Sequence, residues 1–584
     1  MSAALIQQMK AKAISLHQAG ELAAAKVLYT SILQIQPGNP DALHLFGLAC
    51  HQQGDHATAA RYIRQAVDRV PDQPVLRNNL GDALHKAGDL VGAAEQLREA
   101  LALRPDYPGA HMNLGAVLAL AGDHDGAFFH SLEATRLDPE RAEAWFNLGL
   151  LELDHAAVAD AIESLRMALA IRPVYPVAVR SLLYTLNLLP GADPQEVAEE
   201  HRRVAEGLFG TVVASTHWPE PCGKIRIGYV SGDFCAHAVN TFFEPILEHH
   251  DISRFEIHCY SDVDKSDAVT DRLRAYPQHW QEISGWSDSA VTERIRIDRI
   301  DILVDLAGYT KHCRLGVFAA KPARCQISYL GYPNTTGLVA MDFRVVDRYT
   351  SGQGEASFGT EDMLRMSSGF ACFRPPVHAP SVKIAPASSN GFVTFGCLHK
   401  LEKLNDSVFK AWAGILDENP RSRLLIARDQ LDEWHQRRLQ KTFASFGIEM
   451  KRIELIHLTD PSQSFLDLFA RIDVLLDVFP WSGHTVACSA LWMGVPVVTL
   501  RGTTHAGRMV ASVLDGLGLN DWIAEDVGSY IRIAAELCRD QEALSRIRAQ
   551  LRERMERSAL RDEVGFTREF ETLLESAVQQ TATR

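Results

Sequence analysis

Two patterns of apolar and polar positions divide this chain. Over the first third a unit of 34 residues recurs: glycine stands at 47, 81, 115 and 149, and proline at 37, 71, 105, 139 and 173. Segments such as "VLRNNLGDALHKAGDLVGAAEQLREALALRPDYP" and "EAWFNLGLLELDHAAVADAIESLRMALAIRPVYP" align on those positions. A fixed period of this length predicts stacked pairs of antiparallel helices, the glycine letting the two approach and the proline ending the second. One pair cannot bury its apolar face alone, but about five in a row make a continuous core and a concave surface. From "KIRIGYVSGDF" onward, short apolar runs alternate with amphipathic stretches of helical length. Strands are predicted at 224–230, 255–260, 301–306, 324–330 and 342–347, then at 391–397, 423–428, 452–457, 473–478 and 496–500. That alternation predicts parallel sheets covered on both faces. Two series predict two Rossmann-like domains, with the Gly-, Ser- and Pro-rich residues 350–390 as their junction.

The repeating third resembles the tetratricopeptide repeat (TPR). Residues 1–180 are assigned to that array and 181–221 to capping and linking helices. Within it, "NLG" places Asn79, Asn113 and Asn147 two residues before the glycine. A small polar residue is tolerated there on any helix. A column of amides, each with two donors and an acceptor, also suits the backbone of an extended peptide. The sequence allows both roles.

Charge and cysteine usage narrow the partners. The net charge of −14 counts against duplex nucleic acid or an anionic membrane. It leaves room for an anionic small molecule held by local lysine and histidine. Ten scattered cysteines without a CxxC pair predict free thiols in a reducing compartment. No run approaches 18 apolar residues, and the first segment has no apolar core for a signal peptide, so a cytoplasmic location is expected.

Ligands of doubly wound folds sit at the carboxyl ends of strands. The turns there read "SGDFCAH", "LAGYTKHCR" and "YLGYPNTTG" in the first series, "LHKLEKLND" and "WSGHT" in the second. Neither GxGxxG nor a Walker motif occurs, which counts against a dinucleotide oxidoreductase or a P-loop enzyme. "SGHT", residues 482–485, lies where an apolar strand gives way to helix-forming sequence. A helix start offers free N–H groups and a positive dipole end, a seat for phosphate. An ordinary helix cap is the alternative.

The repeats followed in order by "IGYVSGDFCAH", "GYTKHCR", "LGYPNTTG", "KLND" and "GHT…LWMGVPVVTL" resemble the O-linked N-acetylglucosamine transferase family over nearly the whole chain. The resemblance implies an all-α TPR superhelix followed by an α/β GT-B fold, with catalytic lobes at 222–385 and 386–584, the latter ending in the C-terminal helix. It implies inverting transfer of N-acetylglucosamine (GlcNAc) from UDP-GlcNAc to Ser or Thr hydroxyls of proteins. No cofactor or metal is expected. The partners are the UDP-sugar and protein or peptide acceptors along the concave TPR face, where Asn79, Asn113 and Asn147 are the candidate peptide contacts.

By alignment, Lys403 matches the family's phosphate-touching lysine and His237 its active-site histidine. His237 could act as base or position the acceptor, with Asp233, Tyr309 or Lys311 orienting it. Lys400, Lys403, Phe465, Gly483, His484, Thr485, Val486 and Ser489 are the candidate donor contacts, with Asn334 and Thr335 as sugar contacts. His484, Thr485 and Lys403 are expected to supply positive charge to the leaving diphosphate.

The chain departs from the family pattern in places. Leu398-His399-Lys400 replaces Phe-Asn-Asn or Phe-Asn-Gln. Ser489 stands for the aspartate on the ribose, Phe465 for the histidine against uracil, and Val486 for a second threonine. These put donor affinity and identity in question more than the phosphate grip. Asp262-Val263-Asp264 also matches the manganese motif of transferases of another fold. The alternatives are a transferase using another UDP-hexose or acceptor, and a TPR scaffold whose catalytic half is weakly active or inactive.

Overall fold

The 34-residue period becomes five helix pairs in the computed structural model, which describes residues 3–210, 223–351, 358–459 and 464–582. The pairs run from Ala3–Gln18 and Leu22–Ile35 to Ala142–Asp154 and Val158–Ile171, within a unit spanning Met1–Arg172. The recurring glycine is a close-approach residue. A Cβ on Gly47 would lie 2.5 Å from Ile63, on Gly81 2.6 Å from Leu97, and on Gly115 2.5 Å from the Ser131 hydroxyl, each on the second helix of its own repeat. Three further positions keep the period without having been singled out in the sequence. Asp55, Asp89 and Asp123 cap the second helices, accepting from the N–H groups of Thr58, Gly92 and Gly126, which relieves orphan donors at each helix start.

The second unit, Pro173–Arg584, opens with helices Pro176–Leu186 and Pro194–Phe209 and holds two parallel sheets. The first is built from β1 (Ile225–Ser231), β2 (Phe255–Ser261), β3 (His279–Glu282), β4 (Ile302–Asp305), β5 (Cys325–Ser328), β6 (Phe343–Asp347) and β7 (Asp362–Met366), in spatial order 3-2-1-4-5-6-7. The second has β8 (Thr394–Cys397), β9 (Arg423–Arg428), β10 (Ile453–His457), β11 (Val474–Leu476), β12 (Val497–Leu500) and β13 (Ile523–Ala524), ordered 10-9-8-11-12-13. Each order reverses once, between β1 and β4 and between β8 and β11. The turns leaving those four strands therefore meet in pairs, where ligands of such sheets bind.

Three strands escaped the sequence reading: β3, β7 and β13, all at sheet edges. An edge strand has a neighbour on one side only and need not be apolar on both faces; β3 reads "HWQE" and is exposed at both ends. β7 falls inside residues 350–390, so part of the expected junction belongs to the first sheet. The last helix, Glu563–Ala582, also returns to that sheet rather than staying with the second lobe. Phe570 packs 5.1 Å from the Tyr329 ring, and Glu571 accepts from the Asp251 N–H at 2.7 Å and bonds His250 at 2.9 Å. The nine described cysteines are free thiols, and no described helix is long and apolar enough to cross a membrane.

Candidate active site

Each sheet places an aspartate at the carboxyl end of the strand beyond its reversal, and each aspartate ties down the turn that follows. Asp305 ends β4 and accepts the N–H groups of Ala307 at 3.1 Å and Gly308 at 2.8 Å. Asp477 follows β11 and accepts from the Gly483 N–H at 2.8 Å and the Thr499 hydroxyl at 2.6 Å. Burial pushes both carboxyls up to about 6, because a charge removed from water is penalised. Neither was singled out in the sequence, although "ILVD" and "VLLD" carry the signal: an acid closing an apolar strand.

In the first lobe the neighbouring turn, leaving β1, carries Asp233 and His237. The His237 side chain is 46% exposed and its Nδ1 lies 3.6 Å from Asp233 Oδ2. The Val239 N–H also points at Nδ1, 3.4 Å away. Neutral imidazole cannot serve both. With Nδ1 accepting from Val239, the proton sits on Nε2. With Nδ1–H turned to Asp233, Nε2 is free to take a proton. Asp233 is buried, which raises its pKa, and the histidine beside it opposes that shift. Of the other candidate orienting groups, Tyr309 is buried with its hydroxyl donated to Thr336 O at 2.8 Å, and Lys311 projects into solvent, 3.9 Å from Asp264.

In the second lobe the turns leaving β8 and β11 enclose Lys403. Its Nζ donates to Ser482 O at 3.2 Å and lies 4.6 Å from the centre of the Trp481 ring. Burial lowers its pKa to about 8, with Asp477 pulling the other way. His484 opens the helix His484–Trp492 and stacks on Phe242, with ring centres 4.6 Å apart and 22° between planes. Phe242 belongs to the helix Asn240–His249, which starts just past His237, so the two turns face each other. Burial lowers His484 to about 4, which corrects the expectation of charge from this residue. It is neutral near pH 7, and Lys403 carries the positive charge. His399, absent from the candidate set, is buried against Gly483, where a Cβ would come within 2.0 Å of the ring; its Nε2 is 3.7 Å from Asp477.

Thr485 and Val486 lie in the first turn of the same helix, whose early N–H groups have no intrahelical acceptor. Ser489 donates to Thr485 O at 2.9 Å, one turn back. Phe465 begins a short helical turn and meets Phe469 edge-on at 5.7 Å. Lys400 is exposed, 3.6 Å from Glu402. Asn334 donates to Asn187 at 2.8 Å. Thr335 is buried and donates to Glu361 at 2.5 Å, as does Thr336, so this loop is folded onto a carboxylate that the sequence did not flag. Asp262 is held by Arg314 through two bonds of 2.6 and 2.8 Å, while Asp264 is largely exposed. A pair with one carboxylate so engaged does not offer the two free acids of a manganese motif. In the array, Asn79, Asn113 and Asn147 sit half-buried on the first helices of successive repeats. Asn79 bonds His44 at 2.8 Å, and Asn113 donates to Asn78 at 3.0 Å.

Comparison with known proteins agrees with this geometry. The profile of glycosyl transferase family 41 matches residues 212–372 and 387–570, and tetratricopeptide profiles match 16–78, 81–122 and 131–176. The chain is 35% identical over 408 residues to the "Probable UDP-N-acetylglucosamine--peptide N-acetylglucosaminyltransferase SPINDLY" of Solanum lycopersicum, covering 68% of this chain and 44% of that protein. It is 27% identical over 340 residues to the similarly named SEC of Arabidopsis thaliana, covering 56% and 34%. The chain thus spans less than half the length of these relatives. Among solved structures it is similar to a mutant of the Thermobaculum terrenum O-GlcNAc transferase, with TM-score 0.77 and 33% identity over 87% of this chain and 98% of that one.

Proposed function

Because this chain belongs to glycosyl transferase family 41, we propose that it moves N-acetylglucosamine from UDP-GlcNAc to Ser or Thr hydroxyls of proteins held by the repeats, with inversion and without a metal. One observation carries the reading: a half-buried lysine, Lys403, fixed beside the "SGHT" helix start, whose His484 stacks on Phe242 of the helix that follows the His237–Asp233 turn. An inverting transfer needs a stabilised leaving diphosphate and an acceptor hydroxyl placed in line. Lys403 and the free N–H groups around Thr485 receive the diphosphate. Neutral His484 adds a hydrogen bond rather than charge. His237 faces the acceptor, and with Nδ1–H on Asp233 its Nε2 accepts the hydroxyl proton. Without that rotation it only positions the hydroxyl.

A second reading, transfer of another UDP-hexose, rests on Ser489, whose hydroxyl is bonded within its own helix and offers no charge to a ribose. The test is turnover of UDP-GlcNAc on a peptide acceptor in EDTA, with calorimetric titration of UDP. Retained turnover supports the metal-independent reading. Loss of all activity in EDTA overturns it, and no heat from UDP leaves the scaffold alternative.

A further inference from the structure

The second unit contains a buried guanidinium with no hydrogen bond among the described residues. Arg344, on β6, is 9% exposed, its Nε has no partner, and it joins no ion pair among the described residues. The acid acting on it electrostatically, Glu361, is already engaged by Thr335 and Thr336. A small cavity of about 70 Å³ lies against Arg344, and His505 forms part of its wall. His505 opens the 12-residue helix His505–Gly516, is 7% exposed, meets Phe370 edge-on at 4.7 Å, and has no hydrogen-bond partner at either ring nitrogen among the described residues. Thr503, Thr504 and Thr335 line the same space.

A buried charge without a partner is costly in a folded protein. Two such polar groups facing one cavity indicate that something of opposite character belongs there. The chemistry specifies it. A guanidinium presents paired donors matched to a carboxylate or phosphate, and a helix start adds free N–H groups and a positive dipole end. The volume is roughly that of two water molecules, room for one oxyanion group.

We propose that this cavity binds a single small oxyanion, phosphate or carboxylate, clamped between Arg344 of the first lobe and the His505 helix start of the second. Neither Lys403 nor the "SGHT" turn lines this cavity, although Asn334 and Thr335, the expected sugar contacts, do. The cavity and the Lys403 seat are linked through Ser482, whose N–H and hydroxyl both bond Ala506 O, at 3.0 and 2.8 Å. Oxyanion binding here does not depend on the donor reading above.

The experiment is titration of the full chain, saturated with UDP, with inorganic phosphate and separately with acetate, followed by heat and thermal melting. UDP fills the diphosphate seat, so any remaining binding reports the Arg344 cavity. The expected result is one anion per chain and a melting temperature that rises with it. Binding of phosphate marks a free-phosphate site, and binding of acetate alone marks a seat for a side-chain carboxylate; either supports the proposal. Arg344→Met should abolish the binding and the rise, keep UDP affinity unchanged, and melt higher than the parent in anion-free buffer because the unpaired charge is gone. Arg344→Lys should retain weaker binding. The proposal is overturned if neither anion binds, if binding survives Arg344→Met, or if UDP displaces the anion completely.

Discussion

The two lobes of the second unit use one device to opposite ends. In both, an aspartate closing the strand beyond the sheet's reversal fastens the next turn by its N–H groups. Asp305 reaches only two and three residues ahead, to Ala307 and Gly308, and the turn beside it stays open, with His237 about half exposed. Asp477 reaches six residues ahead to Gly483 and across to Thr499, and of the residues gathered there His399 and His484 are shut from water and Lys403 is half-buried. The contrast teaches what each wall can do. An open imidazole with two alternative partners can turn and exchange a proton. A half-buried lysine fixed by Ser482 O and the Trp481 face is a standing charge, suited to receive an anion without reorganisation.

The largest expected effect would break this contrast directly. His237→Ala should lower transfer by roughly 10²–10⁴-fold if the ring is a base, and by less if it positions, while leaving UDP affinity intact. Asp233→Asn sharpens the point: a base needs Nδ1–H on a carboxylate, so the variant should lose most of the turnover, whereas a positioning ring should tolerate it. A large loss of UDP affinity from His237→Ala, with none from His484→Ala, would reverse the lobe assignment. The measurement is turnover and UDP titration on each variant.

Next in size is the donor wall. Lys403→Ala should cost UDP about 1.5–3 kcal/mol, and a nucleoside lacking the diphosphate much less. Equal losses for both ligands would reduce the lysine to a structural role. The depressed pKa adds a signature. Lys403 is charged below about 8 and neutral above it, so UDP affinity should be level from about pH 6.5, above the terminal phosphate's own titration, and fall as pH rises through 8. In Lys403→Ala that fall should vanish.

The two aspartates should be seen in stability rather than turnover. Their folded pKa, near 6, lies above the unfolded value. Their contribution is therefore fully present below about pH 4 and lost as pH rises through 6. An amide keeps an acceptor for the backbone N–H groups and removes the titration. Asp305→Asn and Asp477→Asn should each flatten that part of the pH dependence of melting. Profiles parallel to the parent would show that burial does not perturb these acids.

The smallest effect per side chain lies in the repeats. Replacing Asn79, Asn113 and Asn147 by Ala should leave UDP affinity unchanged and weaken transfer to long peptides, each lost contact removing about 1 kcal/mol. An unchanged rate with a long acceptor would leave the amides as helix filler, a role that the bonds of Asn79 to His44 and of Asn113 to Asn78 already allow.

The sequence by itself determined whatever depends on local pattern. The 34-residue period predicted helix pairs, since the glycines that touch Ile63, Leu97 and Ser131 must recur wherever the same packing recurs. Central strands were legible because burial on both faces demands a continuous apolar run. The "SGHT" turn was legible from its place where an apolar strand gives way to a helix, whereas Lys403 and His237 were identified through the family resemblance. Tertiary structure decided the rest. It made edge strands of segments that look polar, returned the last helix to the first sheet, and turned Thr335 inward onto Glu361. It also made His484 neutral. Local sequence marks that histidine as a helix-start residue, but its charge depends on how much water remains around it, and Phe242 and Phe370, both distant in the chain, pack against its ring.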